Sequence, residues 1–173
     1  QTLIMNTENR VSPQAPEIEE AIIGACLIEQ RAIPLIADKL RPEMFYVLRH
    51  QLIYAAILAM YHAGMKIDIL TVKEELAHRG KLEEAGGAFG ITRLSSIVAT
   101  SAHIEYHMQI VHEKYLRREM ILGLNKLLAC SLDETMDIAD TLIDAHNLLD
   151  RLEGEFGHND HMRDMDALMT DTM

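Results

Sequence analysis

The apolar positions of this chain recur at helical spacing almost from its start. Ile18, Ala21, Ile22, Ala25 and Ile28 or Glu29 fall at i, i+3, i+4, i+7 and i+10 or i+11, the spacing that lines one face of a helix. Pro16 stands where a first-turn proline belongs, and Glu17, Glu19 and Glu20 complement the positive end of the helix dipole. A helix is therefore expected from Pro16. Gly24 falls on or beside its buried stripe, where a missing side chain lets a neighbouring helix come close. A short second helix is expected over Pro34 to Leu40, and "RPEMFY" restarts helix after a further proline. The segment from Val47 to Ala63 is apolar on most sides, which predicts a central helix. Gly64 supplies its stop, Asp68 or Thr71 caps the next helix, "ILTVKEELAHRG", and Gly80 ends that one. After the glycine-rich "RGKLEEAGGAFG", the pattern predicts one more short helix, Ile91 to Ala99.

From about Ala102 the texture changes to two long helical runs, about His103 to Ser131 and about Thr135 to Phe156. The second carries Ile138, Leu142, Ala145, Leu149, Leu152 and Phe156 at alternating steps of four and three, a heptad seam. The opposite face holds Asp137, Asp140, Asp144, Asp150 and Glu153, and "SLDET" is short enough to fold the pair into an antiparallel hairpin. Such a hairpin buries little by itself. The stripe around Leu116, Met120, Leu124 and Leu127 either packs on the chain's own first half or meets a partner, and the pattern leaves both open.

The expected organisation is all-α: a flexible arm over 1–16, a globular multi-helix head over 17–101, a long antiparallel helical hairpin over 102–156, and from 157 to 173 the start of a linker. Met5 is the expected natural start. The polar, Met-containing tail has neither cap nor core and reads as a linker cut short.

Composition agrees with helices. Hydrophobic residues make up 49% and charged ones 25%, with 11 Met, no Trp and few aromatics. The net charge of -11 sets any extended basic face for duplex DNA or anionic lipid against the field of the whole chain. Cys26 and Cys130 each lie inside an apolar run, as small core residues of a reducing compartment do, which points to the cytoplasm. No apolar run reaches the ~20 residues of a membrane helix, and the N-terminus lacks the pattern of a signal peptide.

Two motifs invite chemistry. A phosphate loop needs Gly, four residues, then Gly-Lys-Ser/Thr, whereas Gly80-Lys81 has Glu75 in place of the first Gly and Leu82 in place of the hydroxyl. A dinucleotide fingerprint fails as well: no strand precedes the glycines, and Glu83 and Glu84 repel phosphate. These glycines are expected to serve helix ends and a turn. "HIEYH" puts His103 and His107 at i and i+4, but Ile104 stands where a zinc protease has its Glu, and no third ligand is evident. No nucleophile sits in a recognisable catalytic pattern, and "EKYLRRE" reads as a solvated face with intrahelical ion pairs. No catalytic, cofactor-binding or metal residue is assigned. The rivals to a binding module are a metal hydrolase built on His103 and His107 and a stand-alone helical adaptor.

Read in order, the segments resemble the N-terminal domain of the bacterial replicative DNA helicase, the DnaB family. The residues that carry the resemblance are Pro13, Glu17, Glu19, Ala21 and Gly24; then Phe45, Tyr46, His50, Ile53 and Ala56; Asp68, Thr71, Val72 and Leu76; Leu82, Glu83, Gly86 and Gly87; and Tyr106, Ile110, Val111, Glu113, Lys114 and Arg118. His103 departs from the Asn that many members carry before the hairpin. The resemblance implies that hairpins pair between subunits, so that six chains form a collar of three dimers. It assigns the subunit interface to Leu116, Met120, Leu124, Leu127, Ile138, Leu142, Leu149 and Leu152. It further implies docking of the primase C-terminal domain, for which Glu17, Phe89, Ile121 and Leu127 are the candidates, and contact with a helicase loader. ATP, Mg and DNA belong, on this reading, to a RecA-like motor that follows the linker, and this chain by itself neither hydrolyses ATP nor unwinds DNA.

Overall fold

The computed structural model describes residues 11–97 and 101–170, and side chains over 11–96 and 101–157. The described residues form helices and no strand: α1 (Pro16–Ile28), α2 (Ile33–Ile36), α3 (Leu48–His62), α4 (Ile69–His78), α5 (Gly87–Ile97), α6 (Ile104–Leu132) and α7 (Ile138–Thr170). They divide into two compact units, residues 1–115 and 116–173. The division falls inside α6, because its first turns supply Ile104, Met108 and Val111 to the core of the first unit. Residues 1–10 of the arm expected over 1–16, and residues 98–100 and 171–173, lie outside the described residues.

In the first unit α1 begins at Pro16 and buries Ile22, Ile23, Gly24, Ala25, Cys26 and Leu27. It packs on α5 and α3, while α4 packs on α3 and α5. Ile53, Tyr54, Ala56, Ile57 and Met60 of α3 are buried, so this helix is central to the unit. Burial pushes the Cys26 thiol up to about 12, which keeps it protonated and inert. Cys130, expected in a core, is only half-buried.

The stop signals act through backbone geometry. Gly64 (φ 66°) lets Met65 N–H reach Met60 O at 2.9 Å, and Gly80 (φ 65°) lets Lys81 N–H reach Leu76 O at 2.8 Å, the closing bonds of Schellman ends. Asp68 and Thr71 cap α4 together. The Asp68 carboxylate accepts from Leu70 and Thr71 N–H, while the Thr71 hydroxyl accepts from Asp68 N–H. The first of these residues is thereby held below the usual aspartate range, chiefly by the Thr71 N–H.

Three expectations shift. The second helix shrinks to a single turn, Ile33–Ile36, preceded by a 3-10 turn over Gln30–Ala32. "RPEMFY" gives only a 3-10 turn, Pro42–Met44, and the chain is extended at Phe45 and Val47 before α3 starts. Its backbone is drawn off instead by a carboxylate of α1, described below. The fifth helix starts about one turn earlier than Ile91, at Gly87, because Gly86 (φ 97°) and Gly87 (φ 65°) turn the chain at once and Gly90 N–H closes on Gly86 O at 3.1 Å.

In the second unit α7 runs antiparallel to the later turns of α6. Arg151 Nη1 donates to Glu119 Oε2 at 2.9 Å, and Lys126 Nζ to Asp144 Oδ2 at 3.3 Å. Between these pairs Leu148 covers Gly123 so closely that a Cβ there would overlap the leucine. Asp137 caps α7 by accepting from Ala139 N–H at 2.8 Å. The helix continues to Thr170, through residues where composition predicted a linker. No proline interrupts the segment, so its backbone bonds can continue.

Candidate functional site

Glu19 stands in the first turn of α1, where its charge suits the helix dipole, yet its side chain is turned into the core and is 1% exposed. Its oxygens accept from Tyr46 N–H (2.6 Å) and Val47 N–H (3.2 Å), just before α3. They also take the His50 ring, whose Nδ1 lies 2.8 Å from Oε2. A carboxylate only accepts, so the ring proton sits on Nδ1 and Nε2 is left to accept from Arg49 Nε at 3.4 Å. One buried side chain thus caps the central helix across the fold.

The next residue, Glu20, extends this network to the surface. Its Oε1 accepts from Arg49 Nη2 at 3.2 Å and from Arg93 Nη2, on α5, at 2.9 Å. These three side chains flank a pocket of about 400 Å³, floored by Ala85 and Leu94 and opened by Gly86 and Gly90. Phe89 stands at the same pocket and is 82% exposed. An aromatic ring left in water beside two arginines is a combination enriched at protein interfaces.

The hairpin presents a second surface. Thr141 and Leu148 are buried and Ala145 and Leu152 half-buried, so these residues face α6. The other apolar stripe of α7, with Ile138, Leu142, Ile143, Leu149 and Phe156, is exposed, as are Met120, Ile121, Leu122, Leu124, Leu128 and Leu132 of α6. The single seam expected from the heptad pattern is therefore two stripes. One is spent within the hairpin and the other remains open in the single chain.

The DnaB-like helicase N terminal domain family profile matches residues 11–113. The chain belongs to that family. It is 43% identical over 146 residues to the replicative DNA helicase DnaB of Rhodothermus marinus, covering 84% of this chain but only 15% of that relative's length. It is similar to the crystal structure of the N-terminal domain of DnaB helicase from Mycobacterium tuberculosis at 33% identity and a TM-score of 0.71, covering 84% of this chain and 97% of that one. A DnaB-like replicative helicase solved for its interactions with primase shares the fold at 22% identity and a TM-score of 0.66, covering 82% of this chain and 31% of that one. The DnaB N-terminal domain fold is thus present nearly whole, within a chain that spans a minor part of its relatives.

Of the residues assigned to pairing of DnaB subunits, Met120, Leu124, Ile138, Leu142 and Leu149 are exposed, while Leu116, Leu127 and Leu152 are half-buried. Of the docking candidates, Glu17, Phe89 and Ile121 are exposed. Glu17 and Phe89 lie in the first unit, and Ile121 and Leu127 in the second. His103 is exposed and His107 half-buried, its imidazole lowered by burial and by the neighbouring His103 charge. Among the described residues no group of three or more His, Cys, Asp or Glu converges on a metal position. Around the glycines Lys81 Nζ is held by Glu84 at 2.9 Å and Glu83 lies against Gly87, so acidic groups fill the place a phosphate would need. No described helix is long and apolar enough to cross a membrane. Arg49 and Arg93 went unnoticed in the sequence, and Glu20 was read only as a charge for the helix dipole; a separation of up to 73 positions leaves no local signal of the cluster.

Proposed function

We propose that this chain is the collar of a cytoplasmic replicative helicase: its hairpin pairs with that of a second copy, pairs assemble into a ring of six, and the collar docks the primase C-terminal domain and a helicase loader. The observation that carries the pairing is the exposed apolar surface of the hairpin, Ile138, Leu142 and Leu149 of α7 and Met120 and Leu124 of α6. A two-helix unit with this much leucine in water gains by covering it with an equivalent surface. Family membership supports the primase reading, and the exposed Phe89 offers the anchor such docking needs. ATP, Mg and single-stranded DNA belong to a motor domain outside these residues, and this chain contributes geometry and recruitment to unwinding rather than chemistry.

Light scattering over a concentration series tests the pairing. Wild type is expected to gain mass with concentration, and Leu142→Asp with Leu149→Asp to stay monomeric and folded. A wild type that stays monomeric at the highest concentration would sink it. Calorimetric titration with the primase C-terminal domain tests the docking, and absence of both heat and complex would remove that part.

A further inference from the structure

We propose that the pocket between Arg49, Arg93 and Phe89 is a carboxylate-binding site, in which an acidic side chain of the docking partner is held by the two guanidiniums while an adjacent apolar residue packs on Phe89. This rests on the reading of the chain as a docking module and identifies where, and by what chemistry, the partner is gripped.

Both guanidiniums lean on one oxygen of one carboxylate: Arg49 Nη2 lies 3.2 Å and Arg93 Nη2 2.9 Å from Glu20 Oε1. Two guanidiniums share one carboxylate oxygen at the surface, while the second carboxylate of the network, Glu19, is buried behind His50, so what the cluster turns outward is positive on a chain whose net charge is -11. Each guanidinium has five N–H donors. Glu20 takes one nitrogen of each and His50 takes Arg49 Nε, which leaves donors on both forks for a second carboxylate. Glu20 is mostly buried, with 14% of its side chain exposed, whereas the arginines are about half exposed, so the positive groups are the ones that meet solvent.

The arginines are held in place. Arg49 is held by His50, itself fixed by the buried Glu19, so this fork is oriented from the core outward. Gly86 lines the pocket in a backbone conformation, φ 97°, that disfavours side chains, and a Cβ there would meet Arg49 Cδ only at ordinary contact distance. Two half-exposed guanidiniums that converge on one point suit one carboxylate. A nucleic-acid backbone would bring a row of phosphates past Glu20, and the ring of Phe89 beside the pocket complements an apolar side chain. An acidic peptide segment is the occupant that satisfies both the charge and the ring.

The test titrates the primase C-terminal domain into the chain as wild type, Arg93→Glu, Arg93→Lys, Phe89→Ala and Glu20→Gln, with circular dichroism melts to establish that each is folded. Arg93→Glu is expected to weaken binding about tenfold or more, since it both removes an attractive charge and adds a repulsive one. Arg93→Lys should lose less, because it keeps the charge without the fork. Glu20→Gln should tighten binding by removing the competing carboxylate, an outcome that a merely structural role for this cluster would not produce. Wild-type binding that Arg93→Glu and Phe89→Ala leave unchanged would overturn the pocket while leaving primase docking intact. No binding by wild type would overturn both. Two further arms exclude other occupants: binding of labelled single-stranded DNA that Arg93→Glu abolishes, or a fall in self-association in that variant, would each overturn the acidic-peptide assignment.

Discussion

Glu19→Ala removes a single side chain of α1, yet its consequence falls on α3. The carboxylate, 1% exposed, accepts from Tyr46 N–H, Val47 N–H and the His50 ring at 2.6, 3.2 and 2.8 Å. Hydrogen bonds to a charged group are worth about 1.5–3 kcal/mol each, offset by the cost of burying that charge. Withdrawing one partner of a buried charged network costs about 3–5 kcal/mol, a large share of the roughly 5–15 kcal/mol that holds a typical domain folded. Glu19→Gln retains one acceptor oxygen but turns an amide N–H toward donors, so an intermediate loss of about 2 kcal/mol is expected. Urea unfolding followed by circular dichroism measures both. A Glu19→Ala loss below about 1 kcal/mol, the range of an exposed ion pair, would refute the account of this carboxylate as the cap of the central helix. His50→Ala combined with Glu19→Ala completes a cycle, in which the two losses should fall short of adding.

Other outcomes follow from single contacts. Gly123→Ala places a methyl group into Leu148 and should destabilise the hairpin by about 1–3 kcal/mol, read as faster amide exchange in α7; unchanged protection would show that the helices do not cross there. Tyr54→Phe removes a buried hydroxyl that has no hydrogen-bond partner among the described residues, while keeping the ring tilted against Phe45 with centroids 4.9 Å apart. It should leave stability unchanged or raise it by about 1 kcal/mol in thermal melts, and a marked loss would reveal a partner for that oxygen. The Asp68 carboxyl is held below its ordinary value by the Thr71 N–H, so its contribution is complete above the unfolded-state value and is lost as pH falls through the lower folded one. Asp68→Asn should therefore flatten the loss of melting temperature on acidification below about pH 4, and an unaltered profile would contradict the cap.

The helices of the first unit were legible because their signals are local. Pro16, Gly64, Gly80 and the Asp68–Thr71 pair act within one turn of where they stand; α1 begins at the expected Pro16, and α3 and α4 begin and end within a residue or two of expectation. The failures share a cause. "RPEMFY" looked helical after its proline, but the N–H groups that would have continued that helix are taken by a carboxylate 27 and 28 residues away. The turn from Gly86 into α5 was placed late because two consecutive left-handed glycines begin the helix where apolar periodicity has not yet started.

The sequence by itself determined the all-helical class, the punctuation of the helices, the lack of a phosphate-loop motif among the glycines, and the resemblance to the DnaB-like helicase N-terminal domain family, since period, caps and ordered motifs are written in neighbouring residues. Only the tertiary structure decided what each face does. Period alone shows that α7 is apolar along one side; packing against α6 divides that side into Thr141 and Leu148, which are covered, and Ile138, Leu142 and Leu149, which are not. Glu17, Glu19 and Glu20 look alike at the start of α1. One points to water, one caps a helix across the core and one gathers two arginines at a pocket, because Glu19 is turned about 200° from Glu17 and Glu20 about 100° further.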